Sequence, residues 1–362
     1  MFSIKKQIRR LYTSSVLGQI SLSGAWVAIL AARGFSLAQI GFAETIFHIV
    51  SIIFEIPSGV LADVFGRKKT LIISCLMRIT GDIVMVFSNN YALVCLSIAF
   101  HALSYNFASG SGDALAYDSL KSVGQEGHFE KYASNQLVIY RTCEGISTLA
   151  AGLSLMLGYK ISYSVSVGFS ILQLIVLSSL IEVYLGERTQ SSRVWEEIKK
   201  CFRESFLFLK QARKAMLIMF ANSLVGAMDI LLLFFLQAKL PMAGIPRWLL
   251  GFALLFLQAG GILGARAILH AKKMRYRTIF VIASIVILLG ILLEHSGMYV
   301  IMTLGGFMAA FADDAMQVKN NTLLQDMFPS EQRATLISIE SFTFSVIMIV
   351  LSPLAGMFFE WW

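Results

Sequence analysis

Uncharged apolar runs of membrane-crossing length recur along this chain and restrict its fold more than any other feature. Residues 11–32, 161–181, 248–265, 278–293 and 341–359 contain no Asp, Glu, Lys or Arg. Each is close to the ~20 residues a helix needs to cross ~30 Å of hydrocarbon. Lipid offers no partner to backbone N–H and C=O groups, so such runs become helices or strands of a closed barrel. Their Leu, Ile, Phe, Ala and Gly do not alternate with polar residues as barrel strands do, which selects helices.

Hydrophobic residues make up 57% of the 362 and charged ones 14%, with a mean hydropathy of +0.71, which excludes a soluble globular domain. The net charge of +8 does not point to nucleic acid, because the basic residues sit in short loops between apolar runs, where membrane topology explains them. Cys75, Cys95, Cys143 and Cys201 show no paired spacing, so neither a disulfide framework nor a metal site is expected. Lys5, Lys6, Arg9 and Arg10 precede the first apolar run. That run is span-length and opens a series, so it reads as an uncleaved first helix rather than a signal peptide.

Eleven spans are predicted, at about 11–33, 37–62, 69–88, 91–120, 132–159, 161–185, 214–238, 247–270, 277–294, 297–326 and 333–360. With a cytoplasmic N-terminus, the inner segments hold 24 Lys and Arg and the outer loops 4, an asymmetry that fixes the orientation. In the long loop 186–214, Val194, Ile198, Phe202, Phe206 and Leu209 recur at helical spacing among eight basic and four acidic residues. This predicts an amphipathic helix on the cytoplasmic membrane face. The expected domains are therefore a six-helix bundle over 1–185, a linker over 186–214 and a five-helix bundle over 215–362. A repeat at an offset of 201 supports the division: Gly59 falls on Gly260, Asp113 on Asp314, Ala114 on Ala315 and Ala133 on Ala334.

Between the second and third spans, residues 59–69 read G-V-L-A-D-V-F-G-R-K-K. Gly59 suits close helix packing, Gly66 a tight turn, and Arg67, Lys68 and Lys69 hold the turn in the cytoplasm. The stretch resembles the signature of the major facilitator superfamily, in which G-x-L-A-D is followed by G-R and further basic residues. The resemblance covers nearly the whole chain. It implies an all-α polytopic membrane fold of two pseudo-symmetric bundles rocking about a central site. It also implies that Asp63 meets the start of the eleventh span and closes an intracellular latch. Val64 departs from the basic residue often found there, and the family's twelfth span has no counterpart in this sequence.

Charges inside spans are costly and mark functional candidates. By depth along their helices, Asp113, Arg141 and Glu144 reach one level and are expected to form one cluster, either with Arg141 holding Asp113 ionised while Glu144 exchanges a proton or as a static ion pair that orders helix packing. Arg78 and Asp82, four apart on the third span, are expected to pair along one helix face. Glu44 is expected to be wetted by the cavity. In the second half, Asp229 and Asp314 are the preferred proton-coupling candidates. Trp26, Tyr105, Tyr117, Tyr140 and Phe234 fall on spans that line the cavity in the family, where an aromatic lining suits lipophilic compounds. For any one of these rings, ordinary packing or lipid contact is the favoured reading.

No H-E-x-x-H, Walker loop or G-x-S-x-G is present, so no enzyme and no cofactor are expected. The reading is proton-coupled efflux of a small lipophilic or drug-like compound across the plasma membrane by a monomer, with substrate, protons and lipid as its partners. Nutrient uptake by symport and a non-transporting accessory or truncated protein are the alternatives.

Overall fold

The computed structural model describes residues 3–183, 196, 199, 203, 213–271, 274–327 and 333–361, with backbone alone for Ile56, Val60, Asp63, 325–327 and 333–338. Among these the regular structure is helical and no strand occurs. The longer elements are α1 (Ile4–Gln19), α2 (Trp26–Ala32), α3 (Leu37–Phe65), α4 (Arg67–Phe87), α5 (Tyr91–Ala108), α6 (Ser111–Lys121), α7 (Phe129–Leu149), α8 (Ala151–Leu157) and α9 (Tyr159–Ser178). After the linker come α10 (Arg213–Met242), α11 (Arg247–Ala267), α12 (Tyr276–Glu294), α13 (Tyr299–Met327) and α14 (Arg333–Trp361). The amphipathic helix expected in 186–214 falls almost wholly outside the described residues.

Eight of these stretches are long and apolar enough to cross a membrane. Their outward faces carry large apolar side chains, among them Phe87, Leu217, Trp248 and Ile262, as a lipid-facing surface requires. Three predicted spans are not continuous. The first unwinds at residues 20–25, between α1 and α2. The fourth breaks at Ser109 and Gly110, where Gly110 takes φ 70°, a left-handed conformation that costs glycine least. The fifth breaks at Ala150. Local composition permits each break, but only packing elsewhere makes it worthwhile.

The described chain forms two compact units. The first comprises Met1–Gly24, Ile49–Ser147 and Leu157–Arg203, the second Ala25–His48, Thr148–Met156 and Glu204–Trp362. Segments 25–48 and 148–156 thus group with the C-terminal spans, whereas the sequence places them in the N-terminal bundle.

In the first unit α4 is central, packing on α5, α6 and α9, while α1 packs on α9 and α6. Gly81 lets α4 approach α5: a Cβ there would lie 3.1 Å from the Ser97 carbonyl oxygen, and the Ser97 hydroxyl donates to the Gly81 carbonyl at 2.8 Å. Leu11, Cys75, Leu115, Ala116, Tyr132, Leu177 and Leu180 fill its apolar core.

The second unit is built on α10, which touches α2, α11, α12, α13 and α14. Glycines set its closest crossings. A Cβ at Gly41 would lie 2.2 Å from the Ser352 carbonyl oxygen, and one at Gly356 2.3 Å from that of Leu37. A second pair repeats the device, with Gly152 at 1.9 Å from the Arg247 carbonyl oxygen and Gly251 at 2.3 Å from that of Leu149. Small residues at such crossings let backbones meet where lipid provides no hydrophobic drive between helices. Thr45 donates to the Ile349 carbonyl at 3.2 Å, and the Glu360 carboxylate accepts from the Ala38 N–H at 3.0 Å.

Candidate functional site

The basic turn between α3 and α4 shows how the first unit is held. Gly66 takes φ 99°, so the tight turn expected there is present. The side chain of Glu182, 115 residues further on, then caps the exposed start of α4: its two oxygens accept from the N–H groups of Arg67 at 3.0 Å and Lys68 at 2.9 Å. A carboxylate at a helix N-terminus satisfies orphan donors and meets the positive end of the dipole. The Arg67 guanidinium pairs with Asp118 and donates to the Ala114 carbonyl, tying α4 to α6. Lys68 donates to the Ser178 carbonyl at 2.8 Å, and Lys69 is exposed. Among the described residues, nothing lies within 4 Å of a Cβ placed on Gly59, so the close crossing expected of it is not found. The side chains of Asp63 and of residues 333–338, at the start of the eleventh span, lie outside what the structure describes, and with them the expected latch.

Within the same unit a cavity of about 600 Å³ is lined by α1, α4, α5, α7 and α9 together with the α5–α6 break. Asp113, Tyr105 and Tyr140, expected from the sequence, all line it. The break at Gly110 places Asp113 in the first turn of α6, where the helix dipole favours an acid. Tyr105 and Tyr140 are half-exposed at its wall. The lining also holds groups that sequence reasoning did not assign to a site: Gln19, Arg78, His101, Tyr132, Gln136 and Gln173. They arrive from five helices, so no local pattern announces them.

The expected cluster of Asp113, Arg141 and Glu144 forms only in part. Arg141 pairs with Glu144 at 3.0 Å on one face of α7, with its guanidinium over the Tyr140 ring at 5.5 Å. Among the described residues Asp113 has no ion pair. Arg141 sits three residues before Glu144 on the same helix, and that local contact wins over a reach to another element. Tyr117 packs edge-on against Phe129 at 5.3 Å, and Trp26 does the same against Phe234 at 5.7 Å in the second unit.

The expected Arg78–Asp82 pair is replaced by two separate arrangements. Arg78 donates to the Gly18 carbonyl, to the Ser170 hydroxyl at 3.0 Å and to the Gln173 carbonyl oxygen at 2.7 Å. Asp82 instead faces His101, whose Nε2 lies 3.3 Å from Oδ1. Three good acceptors on α1 and α9 draw the guanidinium away from its helix neighbour.

In the second unit Asp229 and Asp313 are buried, and both interact electrostatically with Asp314. Asp313 accepts from Gln317 at 3.1 Å, and Asp314 packs over Gly261. Glu340 accepts from Asn222 and Asn320. Glu44, expected in a wetted cavity, is instead largely buried against His48, whose Nε2 lies 3.2 Å away and whose Nδ1 is 3.1 Å from the Ser345 hydroxyl. Among the described residues, no group of three or more His, Cys, Asp and Glu could hold a metal ion.

A match to the sequence profile of the major facilitator superfamily runs from residue 11 to residue 353. The chain belongs to this superfamily. It is 25% identical over 215 residues to an uncharacterized MFS-type transporter, YxaM of Bacillus subtilis, a match covering 58% of this chain and 53% of that protein. It is 28% identical over 127 residues to another, YdeE of Escherichia coli, covering 34% and 32%. The chain thus matches about half or less of the length of these relatives. The nucleoside transporter NupG superposes with a TM-score of 0.75 at 14% identity, covering 99% of this chain and 92% of NupG. A D-xylose-proton symporter does so with a TM-score of 0.66 at 13% identity, covering 97% and 88%. At such identities the likeness is one of fold.

Proposed function

We propose that this superfamily member is a secondary active transporter that carries a small, hydrogen-bonding solute across the plasma membrane in exchange or in company with protons. The cavity of the first unit carries this reading. Its volume of about 600 Å³ lies within the range of small-molecule sites. Arg78, Asp113, Gln136 and Gln173 offer it donors and acceptors from four sides. Such a lining matches a nucleoside- or sugar-sized solute better than a purely apolar one, because unpaired polar groups in a dry site are costly. In this reading 1–185 and 215–362 act as the two rocking halves, joined by 186–214, and the turn bearing Arg67, Lys68 and Lys69 faces the cytoplasm. Asp63 closes against the eleventh span. The monomer is the working unit.

Efflux of a lipophilic compound is the second reading, favoured by the half-exposed rings of Tyr105, Tyr117 and Tyr140. Thermal unfolding of the purified protein separates the two. A ligand at about 100 times its Kd stabilises a protein by roughly 2.7 kcal/mol. Stabilisation by nucleosides or monosaccharides, lost in Asp113→Asn and Gln136→Ala, supports the polar reading. Stabilisation by lipophilic cations alone supports the other. Proteoliposomes with an imposed pH gradient then give the direction. Failure of every solute to bind or to move would overturn both readings.

A further inference from the structure

Beside the large cavity lies a smaller one of about 160 Å³, lined by Ile20, Ser21 and Ser23, by Arg78 and Asp82 of α4, by His101 of α5, and by Ser166 and Ser170 of α9. Residues 20–25 are the unwound part of the first span. Non-helical backbone at membrane depth is tolerated where it is buried in protein or lines a water-filled cavity, and broken spans form the ion sites of many transporters. Here the break is fastened by hydroxyls: Ser21 N–H donates to the Ser147 hydroxyl at 3.0 Å, and Ser21, Ser23 and Ser166 share hydroxyl contacts of 2.6 to 3.2 Å.

Asp82 is 1% exposed. Among the described residues neither of its carboxylate oxygens accepts a hydrogen bond, and His101 Nε2, though 3.3 Å from Oδ1, is likewise without a hydrogen-bond partner. The groups that face Asp82 are few. Arg78 belongs to the same helix and spends its guanidinium on Gly18, Ser170 and Gln173. Among the described residues lining this cavity, α5 supplies His101 as the only titratable group, and α1 and α9 supply none. Arg78 and His101 line both cavities. At ~30 Å³ per water, the smaller one accommodates about five.

We infer that Asp82 and His101 form the proton-binding site of this transporter, loaded through His101 from the larger cavity and opening on its other side to the break at residues 20–25. This rests on the transporter reading and names its coupling site. In the unloaded form the carboxylate is ionised, the imidazole neutral and Arg78 balances the charge. Loading adds one proton, taken from water in the large cavity and shared between Oδ1 and Nε2, so the cluster gains one positive charge. A proton fits better than sodium. A hard metal cation seeks six or so oxygen ligands, and here a guanidinium and an imidazole occupy the wall.

The test needs no substrate. Infrared difference spectra of the full chain in lipid nanodiscs, recorded across a pH titration, report the C=O stretch of any buried carboxyl that gains a proton. Wild type is expected to show such a band, Asp82→Asn to lose it, and Asp82→Glu to keep it at a displaced frequency. His101→Gln is expected to shift its midpoint by at least one pH unit, a tenfold change in proton affinity. The band should persist in Asp113→Asn and Asp229→Asn. Size-exclusion chromatography identifies folded variants; should Asp82→Asn not fold, the His101→Gln shift decides. A band that survives Asp82→Asn, a midpoint unmoved in His101→Gln, or displacement of the band by sodium but not by choline overturns the inference. None of these depends on finding a transported solute, so failure here and failure of the transporter reading are separate results.

Discussion

The two units are held together by different chemistry. The first adds polar contacts between elements to its apolar core. Arg67, Arg78 and Glu182 each reach across to another helix, and their bonds to carbonyls, hydroxyls and N–H groups fix the helices around water-sized space. The second joins α3 to α14 and α8 to α11 by backbone contact at Gly41, Gly356, Gly152 and Gly251. Directional bonds can be exchanged one at a time, with water as a stand-in. A glycine crossing is either closed or parted.

Substitutions can break or sharpen that contrast. The largest effect is expected at Gly152→Leu, whose side chain would have to occupy the space of the Arg247 carbonyl. Overpacking of a tight core costs about 3 kcal/mol at the upper end of its usual range, and thermal unfolding in detergent measures it. An unchanged midpoint would mean that the crossing is not closed in the dominant state. Next comes Arg67→Ala, which leaves the nearly buried Asp118 without its partner. A loss of about 2 to 3 kcal/mol is expected, somewhat below the range for fully buried pairs because both groups retain some water. Arg67→Ala/Asp118→Ala should recover part of it, which the second unit's crossings cannot do by any pairwise removal of polar groups.

Glu182→Ala should cost about 1 kcal/mol, the usual worth of a helix cap, and hydrogen exchange should rise first at the N–H groups of Arg67 and Lys68. The smallest effect belongs to Gly59→Ala. With open space around it and a helical backbone, alanine should raise stability by up to ~1 kcal/mol. Transport lost without loss of stability would show that this glycine serves a conformation other than the one described.

Eight of the eleven expected spans recur among the described residues as helices long and apolar enough to cross a membrane, and they were legible because apolar run length is a local property. The turn at Gly66 was legible because a left-handed residue between two helices has few alternatives to glycine. The cap by Glu182 was not, since its carboxylate meets Arg67 N–H only after six spans have assembled. The same holds for Arg78. Spacing of four suggested Asp82, but partners on α1 and α9 took the guanidinium and left the carboxylate to His101. The break at residues 20–25 was hidden inside an unbroken apolar run, and its cause lies in serines on α7 and α9. Pairings within a helix can be read from one segment, whereas pairings across the bundle depend on several elements at once.

That break bears on how the molecule is made. The first span leaves the ribosome long before Ser147 and Ser166 exist. Until they arrive, its unwound peptide groups would stand bare in oil, so the span must enter the bilayer as a continuous rod. It acquires its kinked final shape only when the fifth and sixth segments have been inserted beside it, so a segment synthesised ahead of its partners matures only after them.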